Sequence, residues 1–280
     1  MLLALATAAD LPDLDPDERL VLAPLRALGI EARPVVWDDA TVDWAAYDAC
    51  VIRSTWGYYK ARDAYLTWAR QVAARMPLFN PPEVVAWNTH KGYLRDLAAR
   101  GLAVTPTAFV DAGESVDLAS LLRERGWNEA VVKPAVSAGA FATTRVRLGQ
   151  GQPNLDAILA SGDAMIQPYL AAVEGRGEIS IIAFEGEPSH AVRKFSAFET
   201  GWKDGDEPRV DPTDAELALA LAALEAVGET LLYARIDVAD GPDGRPCLME
   251  LELTEPSLFL RQGGAADRFA TAIARRVGSL

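Results

Sequence analysis

Three carboxylates and a guanidinium, Asp237, Glu250, Glu252 and Arg235, are spaced as a single β-hairpin would bring them together. They lie within residues 231–253, LLYARIDVADGPDGRPCLMELEL, where two apolar-rich runs flank a turn-forming segment containing Asp240, Gly241, Asp243 and Gly244. Such runs read as antiparallel strands around a tight turn. A turn centred on Asp243-Gly244 sets Asp237 opposite Glu250 and Arg235 opposite Glu252, and strand alternation sends all four to one side. Ile236, Met249, Leu251 and Leu253 go to the other side, as core. Like charges facing each other destabilise a sheet, and one arginine does not neutralise three acids. A divalent cation would. Carboxylate oxygens suit magnesium, which also favours phosphate-bearing substrates. The alternative is a solvated sheet face whose acids only maintain solubility.

The rest of the chain must position this hairpin. Its 280 residues fit one or two domains, or three subdomains sharing a core, with an ordinary balance of apolar and charged residues. A formal net charge of -13 argues against DNA or RNA as a partner, because phosphate recognition over a long polymer needs a cationic surface. A local basic pocket for one nucleotide is still compatible with it. Cys50 and Cys247 sit in apolar runs and read as buried packing residues, and His90 and His190 are too scattered for a histidine-rich metal site. The opening MLLALATAAD lacks a basic leader and is too short to span a bilayer, so it reads as a first strand of a soluble, cytoplasmic protein with no membrane partner. Oligomeric state is not legible, and a homodimer is compatible with the sequence.

Hydrophobic periodicity gives an α/β unit over 1–86, with strands at 2–7, 31–37 and 49–52 and helices at 17–28 and 61–75. The strand at 49–52 runs into Arg53-Ser54-Thr55-Trp56, and ligands of open α/β sheets gather beyond the carboxyl ends of strands. Arg53 could clamp a substrate carboxylate, with Ser54 and Thr55 beside it, or it could form a structural salt bridge. Asn88 is a plausible cap for a helix over 88–100 carrying Lys91 in its first turn. The strand at 130–134 ends in Lys133, which needs an anionic partner. The small residues 135–140 suit a loop over phosphates, although they lack P-loop spacing. The strand at 164–170 breaks at Pro168, and its freed backbone could meet an adenine edge, or it is simply an edge strand. A hairpin over 179–195 carries Arg193 and Lys194. A polar loop at 198–212 precedes a helix at 214–230, and a last helix covers 265–277. Residues 87–165 and 166–280 are expected to form two further α+β units.

In order, these parts are two separated lysines, a broken strand, a basic hairpin, and a hairpin bearing Asp and Glu-x-Glu. With VIRSTW at 51–56, VVKP at 131–134, SHAVRK at 189–194, YARIDV at 233–238 and MELELTEPS at 249–257, the sequence resembles the ATP-grasp superfamily over nearly its whole length. It is closest to its glutathione-synthetase-like ligases, and among those to the cyclo-ligases that close O-ureido-serine in cycloserine formation. The resemblance implies a fold in which two α+β subdomains clamp ATP behind a Rossmann-like N-terminal unit. It implies Lys91 and Lys133 on the α- and β-phosphates, Gln167, Pro168, Tyr169 and Leu170 as the adenine connector, and Glu178 near the ribose. Asp237, Glu250 and Glu252 would hold Mg2+, or Mn2+ in its place, and Arg235, Arg193 and Lys194 would face the γ-phosphate or an acyl-phosphate. The superfamily more often has Glu-x-Asn where this chain has Glu250-x-Glu252, and a carboxylate can ligate where an amide oxygen does.

The implied activity is a carboxylate–amine ligase that consumes ATP, releases ADP and phosphate, and acts on a small amino-acid-like carboxylate and an amine, with ring closure as one outcome. Arg53, Ser54, Thr55, Arg209 and Ser257 are the candidates for substrate contact. Two other readings stand beside it: an amino-acid ligase acting on a peptide tail, and an ATP-binding module without catalysis.

Overall fold

The structure, a computed structural model, describes residues 1–195 and 207–278. Its first strands are β1 (Leu2–Thr7), β2 (Glu31–Val36), β3 (Ala49–Ile52) and β4 (Leu78–Phe79), a parallel sheet in the order β2-β1-β3-β4. Helices α1 (Leu22–Ala27) and α2 (Arg62–Ala73) accompany it. Strand β1 is apolar without alternation because both of its faces are covered. Leu3 and Leu5 enter one core, while Ala4 and Ala6 enter another made largely of Trp37, Trp44, Tyr65 and Trp68.

Helices α3 (Pro82–Asn88) and α4 (Tyr93–Ala99) then lead to the second sheet. It contains β5 (Ala108–Val110), β6 (Glu129–Pro134), β7 (Thr144–Arg147) and β8 (Ala164–Pro168), antiparallel in the order β5-β8-β6-β7. Helices α5 (Leu118–Arg125) and α6 (Gln152–Leu159) cover one face. The other face carries Lys133, Met165 and Gln167.

After the short α7 (Ala172–Gly175), the third sheet contains β9 (Glu178–Phe184), β10 (Glu187–Lys194), β11 (Arg209–Val210), β12 (Tyr233–Asp240) and β13 (Pro246–Glu252), in the order β11-β10-β9-β12-β13. Helix α8 (Asp214–Val227) is started by a capping box between Thr213 and Glu216 and packs behind this sheet with α4. Helix α9 (Ala265–Gly278) returns to the first sheet, where Phe269 and Ile273 share a core with Leu3, Leu5, Ile182, Phe184 and Tyr233. The first and third sheets therefore do not have independent interiors.

Several elements differ from the sequence expectation. Of the helix expected over 88–100, α4 covers 93–99 while Asn88 ends α3, and Lys91 lies in the turn between the two helices rather than in a first turn. Asn88 is not a cap: its amide donates to Leu251 O at 2.7 Å and its carbonyl accepts from Leu253 N at 2.8 Å. Helix α6 was not expected, although Pro153 at its start and the 155/158/159 spacing of Leu, Ile and Leu carry the signal. Of the polar loop expected over 198–212, residues 198–206 lie outside the described residues, and 209–210 form β11.

The hairpin β12–β13 pairs Arg235 with Glu252 and Asp237 with Glu250, as expected, but for a different reason. Pairing near the turn, Ala239 with Cys247 and Asp240 with Pro246, is one residue out of register with the pairing at the acids. A bulge absorbs the difference, with Met249 as its extra residue. Met249 is thereby turned off the core face that sequence alternation gives it and packs beside Tyr169 and Leu170.

Strand β13 is a sheet edge, yet its outer groups are satisfied. Besides Asn88, Tyr93 Oη accepts from Leu251 N at 3.1 Å. Asn80, buried, donates to Tyr233 O and Leu253 O at 2.9 and 2.7 Å and accepts from Leu232 N at 3.0 Å. Removing one side chain leaves three backbone groups without partners. The Asn80→Ala variant is therefore expected to lose about 2–4 kcal/mol of stability. Urea denaturation measures this, and a change below about 0.5 kcal/mol would show that these bonds do not hold the strand.

Candidate active site

The face of the third sheet opposite α8 changes character along its length. At one end Ile182, Phe184 and Tyr233 join the core shared with the first sheet. At the other, Ala239, Cys247 and Met249 meet Leu170, Val173 and Tyr169 in a small apolar cluster. Between them lie Glu178, Ser180, Lys194, Arg235, Asp237, Glu250 and Glu252.

Asp237, fully buried, is the centre. It accepts from Ser180 Oγ at 2.6 Å, from Lys194 Nζ at 3.0 Å and from Arg235 Nε at 3.0 Å. Burial pushes its carboxyl up, and Arg235 and Lys194 outweigh that push and leave it below the ordinary range. Arg235 also reaches Glu252 at 2.5 Å, and Lys194 reaches Glu178 at 2.5 Å. Glu250 is held by both lysines of the pair, Lys133 at 2.7 Å and Lys91 at 3.2 Å. They come from β6 and from the α3–α4 turn, and Lys91 N donates to Ala135 O at 2.7 Å, tying that turn to the end of β6. Burial works against the Glu250 charge too, but the two lysines hold its carboxyl well below its usual value.

One expectation needs correction here. The acids do not lack cations: Lys91, Lys133, Lys194 and Arg235 match Asp237, Glu178, Glu250 and Glu252 charge for charge. Deficit of positive charge is therefore not what points to a metal. Geometry is: one oxygen from each of Asp237, Glu250 and Glu252 lies within 4.8 Å of the others.

The second sheet faces this centre with Lys133 and Gln167, whose Nε2 donates to Thr107 Oγ1 at 3.0 Å. Pro168 ends β8, and Tyr169 and Leu170 pass into the apolar cluster with Met249. Tyr169 Oη donates to Glu174 at 2.7 Å, and the Arg145 guanidinium lies 3.5 Å from its ring centre. An apolar cluster beside a strand end, two lysines and a carboxylate cluster thus line the cleft where the second and third sheets meet.

Other expected site residues are engaged elsewhere. Arg53 is 1 % exposed, makes a two-point pair with Glu18 at 2.6 and 2.7 Å, and donates to Pro256 O. It is the structural salt bridge of the two roles considered. Ser54 Oγ accepts from Asp15 N, and Thr55 Oγ1 bonds Tyr65 Oη, both buried in the first unit. Arg193 lies on the α8 side of the sheet because it neighbours Lys194, and it donates to Gly175 O rather than facing the acids. Arg209 is exposed on edge strand β11. Ser257 is half-buried after β13. Sequence reasoning missed Ser180, Met249 and Glu255. Ser180 is legible from its pairing with Asp237, and the other two depend on a bulge and a loop path.

A sequence profile described as the N-terminal domain of D-cycloserine synthetase DcsG matches residues 3–80. The chain is 33% identical over 296 aligned residues to the cycloserine biosynthesis protein DcsG of Streptomyces lavendulae, covering 99% of each. The chain belongs to the DcsG family. The crystal structure of D-cycloserine synthetase DcsG matches with a TM-score of 0.92 at 32% identity, covering 99% of this chain and 100% of that one. The ATP-grasp ligase PsnB, in its complex with a minimal precursor, Mg and ADP, matches with a TM-score of 0.66 at 16% identity over 99% of this chain and 97% of that one, a likeness of fold. This DcsG-family chain is thus an enzyme, a ligase with the ATP-grasp fold. No helix among the described residues is long and apolar enough to cross a membrane.

The donor set of the DcsG-family chain fits a hard divalent cation. All three groups offer oxygen, and Glu250 and Glu252 are partly exposed, which leaves positions open for further oxygen ligands. Burial pushes Glu252 up to about 7 and Glu255, further along the same edge, up to about 8. Both carboxyls bind protons more tightly folded than unfolded, so the folded chain holds more protons between the two pKa values and loses stability as pH rises through that window. His190, lowered by burial to about 4, acts in the opposite direction, but only below its ordinary value of 6.5. Stability of the ligand-free protein is therefore expected to fall from pH 6.5 to 8.5, by at most about 1.4 kcal/mol per unit for each proton held. Glu255→Gln should flatten the profile. Denaturant titrations at several pH values test this, and an unchanged slope in the variant would remove Glu255 as a cause.

Proposed function

We propose that the protein is an ATP- and Mg2+-dependent carboxylate–amine ligase acting on a small amino-acid-like substrate, with O-ureido-serine the leading candidate and ring closure the outcome. The observation that carries this reading is the convergence of Lys91 and Lys133 on Glu250, beside Asp237 and Glu252. Lysines from two other elements, placed against a carboxylate cluster, form a site that exchanges internal ion pairs for phosphate contacts when a nucleotide enters.

In this reading the adenine lies against Tyr169, Leu170 and Met249, near the end of β8, with Gln167 and Pro168 alongside and Glu178 towards the ribose. Lys91 and Lys133 move from Glu250 to the α- and β-phosphates. That frees Glu250 to join Asp237 and Glu252 as ligands. A metal held there would neutralise charge on the β- and γ-oxygens, with Mn2+ able to substitute. Arg235 and Lys194, already fixed by Asp237, are the donors that can meet charge developing on the transferred group without reorganising.

The substrate carboxylate oxygen bonds to the γ-phosphorus as the bond to the bridging oxygen breaks and ADP departs. A nitrogen of the substrate then bonds to the activated carbonyl carbon, the bond to the phosphate oxygen breaks, and the nitrogen gives up its proton. No enzyme nucleophile is needed. Ser257, half-buried after β13, is the retained candidate for substrate contact.

The test is release of ADP and phosphate across a panel comprising O-ureido-serine, D- and L-alanine, D- and L-serine, and a short peptide. Equal amounts of ADP and phosphate are expected with O-ureido-serine and little with the peptide. EDTA should abolish turnover and added Mg2+ restore it. Glu250→Gln and Glu252→Gln should each lower kcat by about 100-fold or more while the protein remains folded. Full turnover in Glu250→Gln would remove that residue from the metal set, and ATP binding without turnover on any panel member would leave a nucleotide-binding module.

A further inference from the structure

Glu255 is the one acid of the cleft that the charge balance above leaves over. It is 8 % exposed, and its carboxylate makes no hydrogen bond or ion pair with any other described residue. The cations whose charge reaches it, Lys91 and Arg235, are already committed to Glu250 and to Asp237 and Glu252. Its own backbone N–H is the one donor it has, so no opposing charge of its own balances it, and a buried carboxylate left in that state is unfavourable unless a ligand supplies the missing cation.

Its position is fixed from outside the hairpin. Trp56 Nε1 donates to Glu255 O at 2.9 Å, and Arg53 donates to the following carbonyl, Pro256 O, at 2.7 Å. The loop after β3 thus clamps the backbone on which Glu255 stands. That loop also contributes Tyr58, which is buried, forms no hydrogen bond through its hydroxyl with the described residues, and feels the charge of Glu255 more than any other. Tyr65 feels the same carboxylate most strongly. Glu255 stands three residues beyond Glu252, whose charge acts on it most strongly, past the end of β13 that lies away from Cys247 and the apolar cluster.

We infer that Glu255, flanked by Tyr58, is the anchor for an ammonium group on the substrate, placed so that the neighbouring carboxylate of an α-amino acid lies at the metal and lysine end of the cleft. The inference rests on the ligase reading above and narrows its substrate class to compounds carrying a free amine beside the reacting carboxylate. The unliganded carboxyl is pushed up to about 8 by burial, and an apposed ammonium would restore its charge. Trp56, Arg53 and Tyr58 act through Glu255 or beside it; only Glu255 supplies the opposing charge.

The experiment compares O-ureido-serine with 3-(ureidooxy)propanoate, the same compound without its amine, in the full-length wild-type enzyme and in Glu255→Gln. Wild type is expected to favour the amine-bearing compound by about 10- to 100-fold in kcat/KM, mostly through KM, the range of a charge-assisted hydrogen bond. Glu255→Gln should lose that preference to within about threefold, while its KM for ATP stays unchanged. Glutamine keeps the shape and removes only the charge, and the wild-type comparison needs no variant, so a folding defect cannot decide the result. Wild type that treats both compounds alike, or a variant that keeps the full preference, overturns the assignment of Glu255 alone. Wild type that releases no ADP with any amino acid overturns the ligase reading, and this inference with it.

Discussion

Carboxylates as close as Asp237, Glu250 and Glu252 can be buried together only if cations reach them, and in this chain three of the four cations come from outside the hairpin. Arg235 is supplied by the hairpin itself, Lys194 by the adjoining one, and Lys133 and Lys91 by the second sheet and the turn before it. The ion pairs are therefore also the joint between the second and third sheets. Breaking them without a replacement would strand buried charge, so the two sheets stay joined as long as nothing else neutralises these groups. The pairing of these charges and the arrangement of the two sheets are one and the same constraint.

The edge of β13 carries this constraint into the backbone. A strand with two glutamates on one face and no named strand on its outer side is held in register from β12 alone, and one residue of slip would send both acids into the core. Asn80, Asn88 and Tyr93 prevent it by occupying the hydrogen-bonding groups of the edge. Asn88 and Tyr93 bracket Lys91. The segment that fixes the register of the acids is thus the one that presents the lysine, which keeps Lys91 and Glu250 in reach of each other.

Much of this was legible in the sequence where local pattern and tertiary role agree. The hairpin, the strand ending in Lys133, the broken strand at Pro168 and the first unit all follow from period and punctuation. The failures have physical causes. Asn88 has the chemistry of a helix cap, but its amide is claimed by a strand more than 160 residues away, which no local rule foresees. Arg53 could have bound a substrate carboxylate, and the choice was made by Glu18, whose approach depends on the fold. Arg193 and Lys194 look alike in sequence, and alternation alone puts them on opposite faces. Met249 shows the reverse case: alternation gives the wrong face because a bulge inserts one residue, and without that bulge Glu250 would not oppose Asp237.

The core shared by Leu3, Ile182, Tyr233 and Phe269 has a consequence for how the chain assembles. One side of the earliest strands is covered by segments synthesised much later, α9 among them. While the polypeptide is still growing, that oily surface has no lasting cover, so the first unit would wait, half-sealed, until the final helix arrives. Maturation should then be a late, concerted closure, with the amino-terminal unit the most exposed to sticking or proteolysis before it.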